Sequence, residues 1–119
     1  MEPIFDRDGE TVGWLSGDVV RDLRGGAVAF TVGDAVFDYR GRHLGFLTDG
    51  YFRDRHGDAV AFLSKHAFGP LAPIPRLPPI QPLASIAPIP PIPPIPPITP
   101  IPSLNWSIAS WDDLLEGRA

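Results

Sequence analysis

The chain has 119 residues, a net charge of −4 and no cysteine. Because nucleic-acid footprints are normally basic, this charge disfavours a nucleic-acid partner, and the lack of thiols excludes disulfides and thiolate metal sites. No run of about 18 apolar residues and no signal-like N-terminus is evident, so we expect no membrane span and a cytoplasmic location.

The distribution of proline divides the chain into three segments. Of the 16 prolines, 15 lie between Pro70 and Pro102. We therefore predict a β domain at 1–67, a Pro/Ile-rich segment at 68–104 and a Trp-containing anchor segment at 105–119. A domain this small buries only about 60% of its unfolded surface, so we expect tail docking or oligomerisation to support it.

The first segment contains a 16-residue unit that occurs four times. Each copy carries Asp-x-x-Gly, then an aliphatic, a small and an aromatic residue. The aspartates are Asp6, Asp22, Asp38 and Asp54, and the aromatic residues are Trp14, Phe30, Phe46 and Phe62. Asp-x-x-Gly is typical of a tight turn, in which the Asp side chain caps the turn and Gly adopts positive φ. The repeat therefore predicts four β-hairpins.

Loop length decides which side chains share a face. With three-residue loops both within and between hairpins, Ile4 pairs with Val12 and Trp14 pairs with Val20. One face then carries twelve apolar residues: Ile4, Val12, Trp14, Val20, Val28, Phe30, Val36, Leu44, Phe46, Phe52, Val60 and Phe62. Because an open eight-strand sheet would expose its edges, we expect an all-β, pseudo-fourfold meander that closes into a barrel-like module.

A family resemblance rests on this repeat and on the end of the chain. Two patterns carry the resemblance: Ile4-Phe5-Asp6-x-x-Gly9-x-x-Val12-Gly13-Trp14-Leu15 and Ser103-Leu104-Asn105-Trp106-Ser107. Both are similar to patterns in the four-fold β-flower proteins, which are small bacterial proteins. The resemblance implies a pseudo-fourfold β-fold and a bacterial origin, and it implies no activity.

In the second segment, an aliphatic residue recurs at every third position from Ile74 to Leu104. Polyproline II has three residues per turn, so a polyproline II tail would present these side chains as one straight stripe, roughly 95 Å long at about 3.1 Å per residue. A semi-rigid spacer is one interpretation. A long apolar stripe is also typical of an interaction surface, and we expect it to contact other copies in a symmetric oligomer.

The last segment predicts a short helical turn, with Ser110 as N-cap and Gly117 as the stop. We expect its tryptophans to dock on a groove of this chain or of another. The predicted interaction residues are therefore Ile74, Ile80, Ile86, Ile89, Ile92, Ile95, Ile98, Ile101, Leu104, Trp106 and Trp111.

Catalytic and metal sites have little support in the sequence. The four turn aspartates suit capping better than cation binding, and His43, His56 and His66 lack ligand spacing. We predict no cofactor, no metal and no catalytic residue. The favoured function is non-enzymatic self-assembly into a homo-oligomer through the stripe. The alternative is a binding module whose tail and Trp motif engage a different protein.

Overall fold

A computed structural model describes all residues 1–119. The strands are β1 (Glu2–Asp6), β2 (Thr11–Ser16), β3 (Val19–Arg21), β4 (Ala27–Val32), β5 (Ala35–Phe37), β6 (His43–Thr48), β7 (Tyr51–Arg53) and β8 (Ala59–Phe62), followed by one helix, α1 (Trp111–Leu115). Each strand pairs antiparallel with the next, and β8 pairs with β1. The predicted all-β, closed eight-strand architecture is confirmed.

The turns within the hairpins follow the predicted capping pattern. The Asp6 carboxylate accepts the amides of Asp8 and Glu10 at 2.9 and 3.0 Å. Asp22, Asp38 and Asp54 accept the equivalent pairs of amides in their own turns. Gly9 has a φ of 80°, and the equivalent glycines also have positive φ. The Asp-x-x-Gly units therefore form the turns that they predict.

The predicted register between strands is wrong at two points. A bulge in each hairpin shifts the pairing by one residue, so Ile4 lies opposite Gly13 rather than Val12. The loop between hairpins has two residues rather than three, so Leu15 lies opposite Val20. Gly17 in this loop has a φ of 59°, the positive value that two-residue hairpin turns require. The small residue of each repeat therefore faces an apolar residue across the strand pair.

This register moves the aromatic residues to the outer face. Phe30 pairs with Phe37 and stacks on it at 5.8 Å between ring centroids. The twelve-residue face predicted from the sequence is accordingly split between the two faces of the barrel. Trp14, Phe30, Phe46 and Phe62 are nevertheless all buried, as predicted. Later parts of the chain cover this face in places, since Ala72 and Trp106 pack against the buried cluster that contains Phe62.

The interior of the barrel is closed by the C-terminal helix. Trp111 and Leu114 belong to the same buried cluster as Ile4, Val20 and Phe52. The rings of Phe52 and Trp111 meet edge to face, 5.0 Å apart. The predicted N-cap is confirmed, because the Ser110 hydroxyl accepts the Asp113 amide while the Asp113 carboxylate accepts the Ser110 amide. The Trp111 side chain thus docks in its own barrel.

Candidate interaction surface

Residues 68–104, here called the belt, pass once around the outside of the barrel. The belt is neither helix nor strand, and its polyproline II conformation stays a prediction. It meets the four hairpin turns in chain order: Arg76 at Gly9, Ser85 at Gly25, Pro91 near Gly41 and Ser103 at Gly57. The molecule is a disc of 36 × 35 × 21 Å, and the belt follows its rim.

Backbone hydrogen bonds attach the belt to three of the four turns. The amides of Arg76, Ser85 and Ser103 donate to glycine carbonyls at 2.9, 3.2 and 3.1 Å. Nine residues separate the first two donors and eighteen separate the last two. The missing donor would be residue 94, a proline without an N–H, and no belt amide bonds to Gly41. The belt therefore advances nine residues for each 16-residue repeat and lacks its hydrogen bond at the third turn.

The turn glycines make room for the belt. A Cβ atom on Gly25 would collide with the carbonyl group of Leu83, and one on Gly57 would meet the carbonyl oxygen of Ile101 at 2.6 Å. At Gly17, in a loop between hairpins, a Cβ would meet nothing within 4 Å. The repeated glycine therefore serves two purposes, positive φ and close approach of a second backbone.

Two buried arginines of the barrel donate hydrogen bonds to backbone carbonyls of the belt. Arg53 is 1% exposed, and its guanidinium donates to the carbonyls of Gly57, Ser103 and Phe68, the last at 2.7 Å. Arg21, two repeats earlier, donates to the carbonyl of Ser85 at 2.8 Å. Burial lowers the pKa of Arg53, although an arginine remains charged at neutral pH. These clamps lie at opposite sides of the barrel.

The aliphatic side chains of the belt point away from the barrel. Every member of the stripe from Ile74 to Ile101 is between 89% and 98% exposed, and Leu104 is 71% exposed. The nine predicted aliphatic interaction residues Ile74, Ile80, Ile86, Ile89, Ile92, Ile95, Ile98, Ile101 and Leu104 all lie on this surface. Arg76 is the one charged residue of the belt, and it pairs with Glu10 at 3.0 Å. The rim of the disc is therefore an apolar band.

The residues that follow the belt pack against the barrel. Trp106 forms a parallel bridge with Ala59 of β8 and packs edge-on against Tyr51. The Ser107 hydroxyl donates to the buried carboxylate of Asp54 at 2.6 Å. Unlike the aliphatic residues of the stripe, Trp106 is half-buried and Trp111 is buried, and both contact this chain itself.

The turn aspartates and His43 make contacts within the barrel. The turn aspartates are occupied by their own amides, and no group of three or more His, Asp or Glu side chains is placed to hold a metal. Burial raises the pKa of Asp38, but hydrogen bonds from Arg42 and Arg40 outweigh it and keep that pKa below its usual value. Burial lowers the pKa of His43, whose ring lies edge-on to Phe37 and Phe46.

A family model described as 4-fold beta flower protein matches residues 2–115. The chain belongs to the four-fold β-flower family. The matched residues include the belt and α1 as well as the barrel, and the family description states an architecture rather than an activity. No curated protein and no solved structure matches the chain.

The structure contains no helix with both the length and the hydropathy needed to cross a membrane.

Three features of the surface were missed in the sequence. Leu71 continues the three-residue spacing one step before Ile74 and is 94% exposed, so the spacing alone could have included it. Phe68 is exposed with a φ of 59°, which no pattern indicated. The belt-holding role of Arg21 and Arg53 was signalled only by the alternation of arginine and phenylalanine at that repeat position.

Proposed function

We propose that this protein is a non-enzymatic structural protein that assembles with copies of itself through the apolar stripe of its belt. The observation that carries the proposal is the exposure of the whole stripe on a tail whose backbone is attached to the barrel. Contiguous apolar patches larger than a few hundred Å² are rare on monomeric proteins and mark contact surfaces. All eleven stripe positions from Ile74 to Leu104 are exposed, so the stripe is a candidate for such a surface.

The attachment of the belt also favours this role over that of a spacer. A spacer separates two bodies, whereas this segment is hydrogen-bonded to three of the four hairpin turns of the barrel from which it starts. Since its backbone is held by hydrogen bonds and by buried arginines, little conformational entropy remains to be lost when the stripe binds. A pre-ordered apolar surface of this kind suits repeated contacts between copies.

A second candidate function is that of a module that binds a different protein. The shape of the stripe favours a partner that surrounds the molecule. The stripe passes all four hairpin turns, from Ile74 at Gly9 to Ile101 at Gly57, so a partner that surrounds the molecule could cover all of it at once. Such a partner would bind the stripe alone, because Trp111 is buried in the barrel.

The test replaces three neighbouring stripe residues, Ile92, Ile95 and Ile98, by aspartate. Burying a charge in an apolar contact is costly, so the triple variant should remain a 12.9 kDa monomer where the wild type forms a larger species. Light scattering after size-exclusion chromatography, at low micromolar concentration, measures the mass. The barrel should still fold, because the three side chains are exposed in the single chain. Its melting temperature should fall only to that of the free monomer, since association no longer stabilises the folded state.

A matched control adds the same charge to the same belt away from the stripe. Gln81, Ala84 and Thr99 are exposed and lie between stripe positions, so their replacement by aspartate should leave the assembly intact. A wild-type protein that is monomeric throughout this concentration range would contradict self-assembly and favour a different partner. Equal loss of mass in both variants would indicate that net charge, and not the stripe, controls association.

A further inference from the structure

Two opposite sides of the barrel, 32 residues apart in the sequence, carry equivalent sites on the outer face. One site is built around Tyr51 and Phe62 and the other around Val19 and Phe30, at the same repeat positions. Their backbones match, since Tyr51 pairs with Phe62 as Val19 pairs with Phe30. The two sites differ in what fills the space beneath the belt.

The site at Tyr51 is filled by aromatic rings of this chain. Tyr51 is buried, and its hydroxyl donates to the carbonyl of Pro70 at 2.6 Å. The rings of Trp106 and His66 lie edge-on to it, at 6.3 and 5.2 Å between centroids. Gly69 lies so close to the Tyr51 ring that no side chain could be added there. This side therefore shows the chemistry that fits the space, which is aromatic and apolar.

The site at Val19 is filled only in part, by the ring of Tyr39, which lies 5.3 Å from that of Phe30. A cavity of about 260 Å³ lies between the belt and the barrel, and Val19, Phe30, Val32, Tyr39, Pro88 and Pro91 are among its lining residues. An apolar cavity of about 150 Å³ already accepts a benzene ring. The cavity also lies along the part of the belt that approaches the third turn, where the backbone hydrogen bond is missing. This cavity, here called the hole, is thus large enough for one aromatic side chain. The belt segment that lines it has no backbone hydrogen bond to the nearby third turn.

Phe68 offers such a side chain at the opposite side of the disc. It is the one aromatic residue among the exposed large hydrophobic residues, at 75% exposure. Its φ of 59° is a strained value for a bulky residue. The chain holds it there, because Arg53 donates to its carbonyl and the amide of the preceding Ala67 donates to the carbonyl of Asp49 at 2.8 Å. Phe68 is therefore a rigidly presented aromatic knob.

We infer that Phe68 of one copy inserts into the cavity beneath the belt of a second copy, against Val19 and Phe30. This inference rests on the proposed self-assembly and names its specific contact. Because knob and hole lie on opposite sides of the disc, the contact joins different surfaces of the two copies. A head-to-tail contact of this kind yields a ring if the rotation closes and an open filament if it does not. The apolar stripes flank the contact on both copies.

Two single variants test the knob and the hole separately. Phe68→Asn removes the ring and places at positive φ a residue that tolerates it, so the barrel should keep its melting temperature. Val19→Tyr fills the hole with the residue that the chain itself uses at the equivalent position. Each variant should weaken association at least about tenfold, as expected for loss of a buried aromatic anchor. Sedimentation equilibrium over a concentration series measures the constants.

Mixing the two variants provides the decisive measurement. Phe68→Asn keeps the hole and Val19→Tyr keeps the knob, so an equimolar mixture should form a 1:1 heterodimer that cannot extend further. A mixture that stays monomeric would overturn the inference, because each partner still carries one intact half of the contact.

The outcomes separate this inference from the proposed function. If both single variants assemble like the wild type while the triple aspartate variant does not, the stripe mediates assembly and the knob-and-hole contact is wrong. If the single variants dissociate and the triple aspartate variant assembles normally, the knob-and-hole contact stands and the stripe is not the assembly surface. A monomeric wild type would contradict both.

Discussion

The barrel and the belt place aliphatic residues in opposite ways. In the barrel, Ile4 and Leu44 have no exposed surface, whereas Ile95 of the belt is 95% exposed. The barrel can bury one side of each strand because successive side chains alternate between two faces. The belt contacts the barrel through backbone hydrogen bonds, prolines and a few other side chains such as Arg76, while the aliphatic residues of its stripe are exposed. An apolar side chain is therefore not by itself evidence of a core residue. Isoleucine and leucine are buried in the barrel and exposed on the stripe of the same protein.

The largest expected effect separates the two regions directly. Phe46→Ala empties a buried site of the barrel and should lower the free energy of unfolding by about 3–5 kcal/mol. Ile95→Ala, on the belt, should change it by less than about 0.5 kcal/mol. Chemical denaturation of both variants, at a protein concentration low enough to keep the protein monomeric, measures the difference without any contribution from assembly through the stripe. Similar losses for the two would mean that the belt side chain is buried in the folded protein and that the comparison fails.

A smaller effect is expected where the belt touches the barrel. Gly25→Ala and Gly17→Ala both place alanine at positive φ, but only Gly25 lies against the belt backbone. Overpacking of this kind costs about 1–3 kcal/mol, so Gly25→Ala should be more destabilising than Gly17→Ala by roughly that amount. Limited proteolysis should also cut the belt faster in Gly25→Ala. Equal stabilities would indicate that the belt does not rest on this turn.

The smallest expected effect is a pH dependence of stability that is caused by His43 of the barrel. Burial and the charge of Arg55 lower the pKa of His43 in the folded state. Below about pH 6.5 the unfolded chain then binds more protons than the folded one, so stability falls as the pH drops from 7 to 5. His43→Leu should reduce this slope in denaturation experiments between pH 5 and pH 7. An unchanged slope in His43→Leu would assign the pH dependence to other groups.

Local rules predicted the turns but not the arrangement of the faces. The Asp-x-x-Gly turns and the Ser110 cap were confirmed, because each depends on hydrogen bonds within a few residues. The register failed because one bulge and one shorter loop each move the pairing by a single residue, and a shift of one residue exchanges the two faces of a strand. Hydrophobicity could not correct the error, since the belt, the helix and the aromatic clusters leave both faces of the barrel buried.

The sequence by itself determined the 16-residue repeat, the closed meander of hairpins and the three-residue spacing of the stripe, because turn chemistry and side-chain periodicity are local properties. Only the tertiary structure decided where the belt goes. Its path depends on hydrogen bonds from its own amides to carbonyls of turns up to 67 residues away in the sequence, such as Arg76 to Gly9. It also depends on buried arginines whose partners are distant backbone groups. Those contacts use the amides and carbonyls of the belt, and the aliphatic side chains of the stripe remain exposed.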